Sequence, residues 1–344
     1  MMRPATWTTE AFQESVLRHG GRVDFVFGDD RPFPECHAST VAESGNGGLL
    51  CAWFGGTKEG DPDVGIWLSR QTAGTWSPPE RVAKLGHVAH WNPVLFRDPA
   101  RGVFLFFKVG ERIANWRTYW MASDDGVDWS EATELVPGDE GGRGPVRNKP
   151  IVLSDGTWLA PASNEQDGWK PFVDRSADGG VTWERSDYFD INPSIIPGRG
   201  AIQPTLWESG PDVVHALLRT TGGCIARADS VDGGLTWTDL YATELPNNNS
   251  GIDAVKLDDG RILLVYNPVA EDWGPRTPLN LAVSDDNGST WLDLVSIETA
   301  EGEYSYPAII AAQNGLVISY TWKRERIRCW QVPHKALDSR AALG

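Results

Sequence analysis

A tryptophan closes a short Asp-Gly turn again and again at a near-constant interval. Trp76, Trp129, Trp183, Trp237 and Trp291 are separated by steps of 53, 54, 54 and 54 residues. Three copies are strong: Ser176 to Trp183, Ser230 to Trp237 and Ser284 to Trp291 all read Ser-x-Asp-x-Gly-x-Thr-Trp. A weaker copy runs from Ala122 to Trp129, with Ala for Ser and Asp128 for Thr, and a decayed copy ends at Gly74-Thr75-Trp76. A fixed period of this size marks a repeat architecture, in which each unit buries its apolar face against the next. The 344 residues leave room for about six such units.

Between the turns lie short β-rich runs, four to a repeat. Radial repetition of four-stranded antiparallel sheets gives a six-bladed β-propeller, an all-β fold that protects its sheet edges. The last repeat is one strand short. The run from Arg22 to Phe27 is the candidate that closes the ring. The expected organisation is an N-terminal segment over 1–36 with that closing strand, a propeller over 37–332, and a polar tail over 333–344. The repeated turns fall between strands three and four, where Ser and Asp bond turn amides and Trp packs between sheets. They are expected to be structural.

Charge and composition narrow the partners. A net charge of -16 with no basic stripe argues against nucleic acid. No run approaches a membrane span, and no membrane partner is expected. Met1 to Trp7 has no apolar core ahead of a cleavage site, so the expected location is cytoplasmic. Cys36, Cys51, Cys224 and Cys329 lie far apart without metal-type spacing and read as free thiols. Neither a metal nor a cofactor is implied.

Aligning the first strands brings out a ring of polar residues. His37, Asn92, Lys149, Gln203, Asp253 and Tyr306 precede small residues or proline at matching places. First strands line a propeller's axis, so these six are expected around one mouth of the channel. Chain direction sends the loops between strands two and three, and from strand four to the next strand one, to the same face. The former carry Glu59, Asp61, Asn115, Trp116, Asp167, Trp169, Trp273 and Arg276. The latter carry His87, His90, Trp91, Arg143, Arg147 and Arg199, and Arg219 ends a second strand there. Loops on a rigid scaffold are where function concentrates. Trp116, Trp169 and Trp273 recur at related positions and suit a sugar ring. Arginines gathered in an acidic chain point to an anionic group on the ligand. The expected partner is an acidic oligosaccharide or glycoside.

These residues resemble the sialidase (neuraminidase) superfamily, whose Asp-box turns match the repeats above, over His37 to Val332. The resemblance implies six blades and hydrolysis of a terminal sialic acid by a tyrosine nucleophile, an activating glutamate, an acid/base aspartate and three arginines. Tyr306, in Tyr306-Pro307-Ala308-Ile309, matches the tyrosine. Arg219, in Leu218-Arg219-Thr220, and Arg276, in Arg276-Thr277-Pro278-Leu279, match the second and third arginines. Glu59 or Asp61 falls at the acid/base position. His37 stands where the first arginine belongs, and Gln203 where the activating glutamate belongs. Asp253, on the neighbouring strand, is the substitute carboxylate near the tyrosine.

Three functions fit these residues. One is a glycoside hydrolase on a terminal acidic sugar, with Arg219 and Arg276 on its carboxylate and Lys149, Gln203, Asn92, Asp253, Arg147, His90, Trp91 and Trp169 around it. A second is a lyase that cleaves a uronate linkage by elimination, with His37 and Tyr306 as proton carriers. The third is a carbohydrate-binding propeller without catalysis.

Overall fold

The computed structural model describes residues 6–45, 47–166 and 168–338. Residues 1–5 of the Met1 to Trp7 stretch, Asn46, Asp167 and residues 339–344 of the tail fall outside them. The chain forms six antiparallel sheets around a central channel. In chain order their inner strands are Glu35–Glu43, His90–Asp98, Ile151–Val152, Ala201–Gly210, Asp253–Lys256 and Tyr304–Ala312. The second strands, such as Val213–Thr220 and Ile262–Tyr266, are buried almost throughout because both of their faces pack against neighbouring blades. In blade one, Thr75–Trp76 and Glu80–Ala83 share the outer edge of Gly65–Thr72.

Blade six closes as the missing strand requires. Arg22–Phe25 runs antiparallel to Arg326–Pro333, from the Arg22–Gln331 pair to the Phe25–Arg328 pair. Joining both ends of the chain in one sheet leaves no open edge between first and last blade. Ahead of that strand a helix spans Thr9–Arg18, capped by the Thr8 hydroxyl on Ala11 N. Its Phe12 and Val16 join the core between blades five and six, and Phe12 stacks on Trp330 at 5.9 Å. The tail also departs from expectation. Its first residues form a helix, His334–Asp338, because Ala336 and Leu337 bury into that same core.

The repeated turns are internal clamps. Asp178 takes Val181 N, Thr182 N and the Thr182 hydroxyl, while Ser176 Oγ accepts from Gly180 N at 2.7 Å. These bonds hold the Asp178 carboxyl at about 2, well below the usual range. The turns ending at Trp237 and Trp291 repeat the pattern. In the weaker copy Ser123 and Asp125 do this work, through Gly126 N and Val127 N. Alignment on Trp129 had placed Ala122 and Asp124 there; the turn is one residue shorter.

A second polar lock joins blade four to blade five. His215 Nδ1 meets Asp229 at 2.5 Å, and its Nε2 meets Ser209 at 2.8 Å. Arg227 and Asn287 approach the same two nitrogens at 3.0 Å each, and Asn287 also accepts from Trp207 Nε1. A ring held on both nitrogens by two further groups is a structural tie between blades.

Candidate active site

A bulge in the inner strands decides which residues face the mouth. In blades one, two, four and six the ladder skips two inner residues: Ala38-Ser39, Asn92-Pro93, Gln203-Pro204 and Tyr306-Pro307. Proline fits the second place because the skipped residue needs no ladder amide. The first residue of each pair is left-handed, with φ of 55°, 41°, 56° and 51°. Counting back from the Ile151–Leu159 pair puts Arg147, φ 72°, in the same place in blade three. Non-glycine residues in this region are strained and cluster at functional sites.

The bulge corrects the sequence alignment. The ring is Ala38, Asn92, Arg147, Gln203, Gly251 and Tyr306. His37 lies one residue earlier, since Ser39 holds the place that proline holds elsewhere. Lys149 and Asp253 lie two residues later, one layer deeper in the channel. There Lys149 Nζ binds both Asp253 oxygens at 3.0 and 2.9 Å, and Asp253 also accepts from the Thr205 hydroxyl and Ile309 N. This buried pair is satisfied by protein and plugs the channel. Neither member is free for a ligand, and Asp253 is spent on bonds away from the tyrosine.

Tyr306 stands at the centre, half-buried. Arg219 Nη1 donates to its hydroxyl at 2.7 Å. The guanidiniums of Arg147, Arg276 and Arg219 lie 5.3, 5.4 and 5.5 Å from its ring. Below it the His37 ring is 4.2 Å away and bonded to the Thr321 hydroxyl. Burial, then Arg324, Arg276, Arg147 and Arg219, hold His37 well below the ordinary histidine range, so it is a neutral imidazole.

Arg219 is almost fully buried, yet no carboxylate pairs with it among the described residues. Its donors go to neutral oxygens: Asn249 Oδ1 takes Nε and Nη2, and Gln203 Oε1 takes Nη1 at 3.1 Å. Gln203 in turn donates to Glu165 at 3.4 Å. Burial raises the Glu165 carboxyl, with Arg219 opposing. Among the described residues Arg147 likewise meets only carbonyls, those of Ser39 and Pro307, and burial lowers it to about 10. Lys108 ties down the segment leading to Arg147 through the carbonyls of Gly142 and Arg143. Arg143 itself is a strut, bonded to Asp174 at 2.6 Å. A buried cation without a counter-ion is costly unless an anion arrives.

Arg276 and Glu59 reach the site differently. Arg276 Nη1 binds Glu303 at 2.7 Å and lies 3.3 Å from Ser305 Oγ. Glu59 is held by Arg324 at 2.5 Å. Asp61, two residues on in the same loop, is half-buried, and its carboxylate has no partner among the described residues.

Three expected ligand contacts belong to the core instead. His90 Nε2 accepts from Leu85 N and its Nδ1 faces Val88 O, with the ring stacked on Phe107. Trp91 packs against Phe54 and Trp116 and donates to Gly110 O. Trp169 is buried between Arg199 and Arg219, 5.2 and 5.3 Å from its ring. Trp116 is also buried, whereas Trp273 is 66% exposed. Asn249, Glu165, Glu303 and Arg324 are site residues that sequence reasoning missed. For Asn249 the visible sign is the run Asn247-Asn248-Asn249.

His37 and His90, both held low by burial, make the fold acid-sensitive. Burial first, then Lys84, brings His90 down to about 4; unfolded it titrates near ~6.5. Between those values the unfolded chain holds the extra proton, so stability falls as pH drops through the window. The His90 share is roughly 3 kcal/mol by about pH 4. Urea midpoints of the wild type and His90→Gln across that range test this. The variant should show the shallower loss, and identical profiles would contradict it.

The model of a BNR repeat-like domain matches residues 47–318. An anhydrosialidase of Macrobdella decora is 22% identical over 229 residues, which are 59% of this chain but only 29% of that protein. Among solved structures, Hadza microbial sialidase Hz136 superposes with a TM-score of 0.75 at 19% identity, over 91% of this chain and 69% of the other. A Trypanosoma rangeli sialidase in complex with 2,3-difluorosialic acid, as a covalent intermediate, gives 0.73 at 12% identity, over 94% and 61%. At such identities the superpositions speak for the fold.

Proposed function

Since the chain belongs to the BNR repeat-like domain family, we propose that it is an exo-acting glycoside hydrolase on a terminal acidic sugar of the sialic acid type. One observation carries this reading. Arg219, a buried guanidinium with no counter-ion among the described residues, donates to the hydroxyl of a strained tyrosine at the channel mouth. Such a site offers a carboxylate its missing place and sets a nucleophile beside it.

In this reading Arg219 and Arg276 bind the sugar carboxylate. Tyr306 oxygen passes its proton to solvent, to which the half-buried side chain is open, as it attacks the anomeric carbon, and the surrounding guanidiniums favour the negative charge that builds on it. Asp61 gives its proton to the leaving oxygen as the glycosidic bond breaks. The Asp61 carboxylate then takes a proton from water, which attacks the same carbon and releases the Tyr306 oxygen, and that oxygen regains its proton from solvent. Two displacements return the original configuration. Asp61 is preferred to Glu59 because Arg324 already engages Glu59. Gln203 passes the field of Glu165 to Arg219 in place of a direct glutamate.

Elimination is disfavoured. It needs His37 as a proton carrier, and His37 is buried behind the Tyr306 ring with Nδ1 on Thr321. A fluorogenic sialoside tests the proposal. Release of the fluorophore with a saturated reducing sugar is the expected result. An unsaturated product would establish elimination, and binding without turnover would leave a carbohydrate-binding propeller.

A further inference from the structure

We propose that Arg147 and Asn148, neighbours in blade three, are positioning residues: from behind the site they hold the backbone at both ends of the Tyr306–Arg219–Gln203 contacts. This rests on the glycoside hydrolase reading above and names what keeps its nucleophile in place.

Their donors go to one kind of acceptor. The ladder skips Ala38-Ser39, Gln203-Pro204 and Tyr306-Pro307 in blades one, four and six. A buried carbonyl that a ladder passes over needs a donor from elsewhere. Blade three supplies four such bonds across the channel. Arg147 Nη1 donates to Ser39 O at 3.1 Å, and its Nη2 to Pro307 O. Asn148 Nδ2 donates to Gln203 O and Pro204 O at 2.9 and 3.0 Å. Two consecutive side chains thus tie three other blades at the level where each inner strand is bulged.

The reactive contacts hang on those carbonyls. Pro307 follows Tyr306, whose φ is 51°, and the Arg147 guanidinium lies 5.3 Å from the Tyr306 ring. One side chain therefore fixes both the backbone after the phenol and a face of its ring. At the other end, Gln203 Oε1 accepts from Arg219 Nη1 at 3.1 Å, and that nitrogen also donates to the Tyr306 hydroxyl at 2.7 Å. Asn148 sets the backbone from which Gln203 projects.

Neither residue reaches the ligand. Both are 1% exposed, and both terminal nitrogens of Arg147 are engaged by carbonyls. The pair is itself braced. Val146 N donates to Pro161 O at 3.0 Å, Lys108 holds the carbonyls of Gly142 and Arg143, and Arg147 is kept left-handed at φ 72°. Such strain persists only where the surroundings over-determine it. Arg147 Nε and Asn148 Oδ1 are buried without a partner among the described residues. Filling the channel alone would cost less with apolar side chains.

The test reads turnover per folded molecule. Wild type, Arg147→Met, Arg147→Lys and Asn148→Leu are compared on a fluorogenic sialoside, with the folded fraction taken from thermal melts. Arg147→Met keeps the stem and loses both bonds. Its kcat should fall about 10- to 100-fold, the cost of reacting groups displaced by ~1 Å, with KM within about threefold. Asn148→Leu loses only the donor and should lower kcat in the same way. Arg147→Lys should recover part of the loss, because an ammonium can still reach one carbonyl. If Arg147→Met is unfolded at the assay temperature, the other two variants decide, each with kcat below the wild type. Wild-type kcat per folded molecule would make the pair a structural tie, and a loss confined to KM would place it in ligand binding. Either result overturns the proposal while the hydrolase reading stands. A wild type that does not turn over the sialoside would overturn both.

Discussion

Tyr306→Phe is expected to cut kcat/KM on a sialoside by at least about 100-fold while the protein remains folded. The substitution removes one oxygen, the atom that Arg219 Nη1 contacts at 2.7 Å. Everything else the ring does is retained: the contact with His37 and the faces presented to Arg147 and Arg276. The left-handed backbone at Tyr306 is set by the bulge and the following Pro307, which the change leaves in place. Thermal unfolding should therefore shift little. KM should also move little, because the carboxylate contacts persist, so the loss falls on kcat. A variant with wild-type turnover would show that the phenol is a wall of the pocket and not its reactive group.

The second large effect is expected at Arg219. Arg219→Gln should lower kcat/KM by about 100- to 1000-fold, the cost of one preorganised donor in a water-poor site. It should raise KM as well, since the same group meets the ligand's carboxylate. Stability is expected to respond in a different way. The change removes a buried charge with no counter-ion among the described residues, a costly feature, but strands Asn249 Oδ1, which takes two of its donors. These oppose one another, so the melting temperature should move far less than activity does. A parallel collapse of stability and activity would make Arg219 a structural tie, with no reserved place for an anion.

The ring of blades was legible because it is written in a period. Trp183, Trp237 and Trp291 recur with their Ser and Asp partners, and the strand deficit in the last repeat pointed to the segment Arg22–Phe25 that fills it. The mouth was only partly legible. Tyr306, Gln203 and Asn92 carry the proline that marks the bulge, and they were placed in one ring. Blade one has Ser39 in that place and blade three has its proline three residues beyond Arg147, so His37 and Lys149 were drawn in by one and two residues. Side chains on a strand alternate faces, and a slip of one residue changes what a residue can touch.

The residues that were missed lie where no period runs. Asn249 and Glu303 are single polar groups on loops, and their meaning comes from guanidiniums supplied by other parts of the ring. Lys323-Arg324 did leave a trace, since a tight hairpin with two cations where glycine or asparagine is favoured is an anomaly. His90 and Trp91 were misplaced for the opposite reason. They sit beside the mouth in sequence, but their ring nitrogens satisfy backbone groups and their faces fill the core between blades.

The central claim is that Tyr306 forms a bond to the sugar. Incubation with 2,3-difluorosialic acid, followed by digestion and mass spectrometry, tests it directly. The account predicts a glycosyl adduct on the peptide that contains Tyr306, absent from Tyr306→Phe. An adduct on any other residue, or turnover of the probe with Tyr306 unmodified throughout, would contradict it.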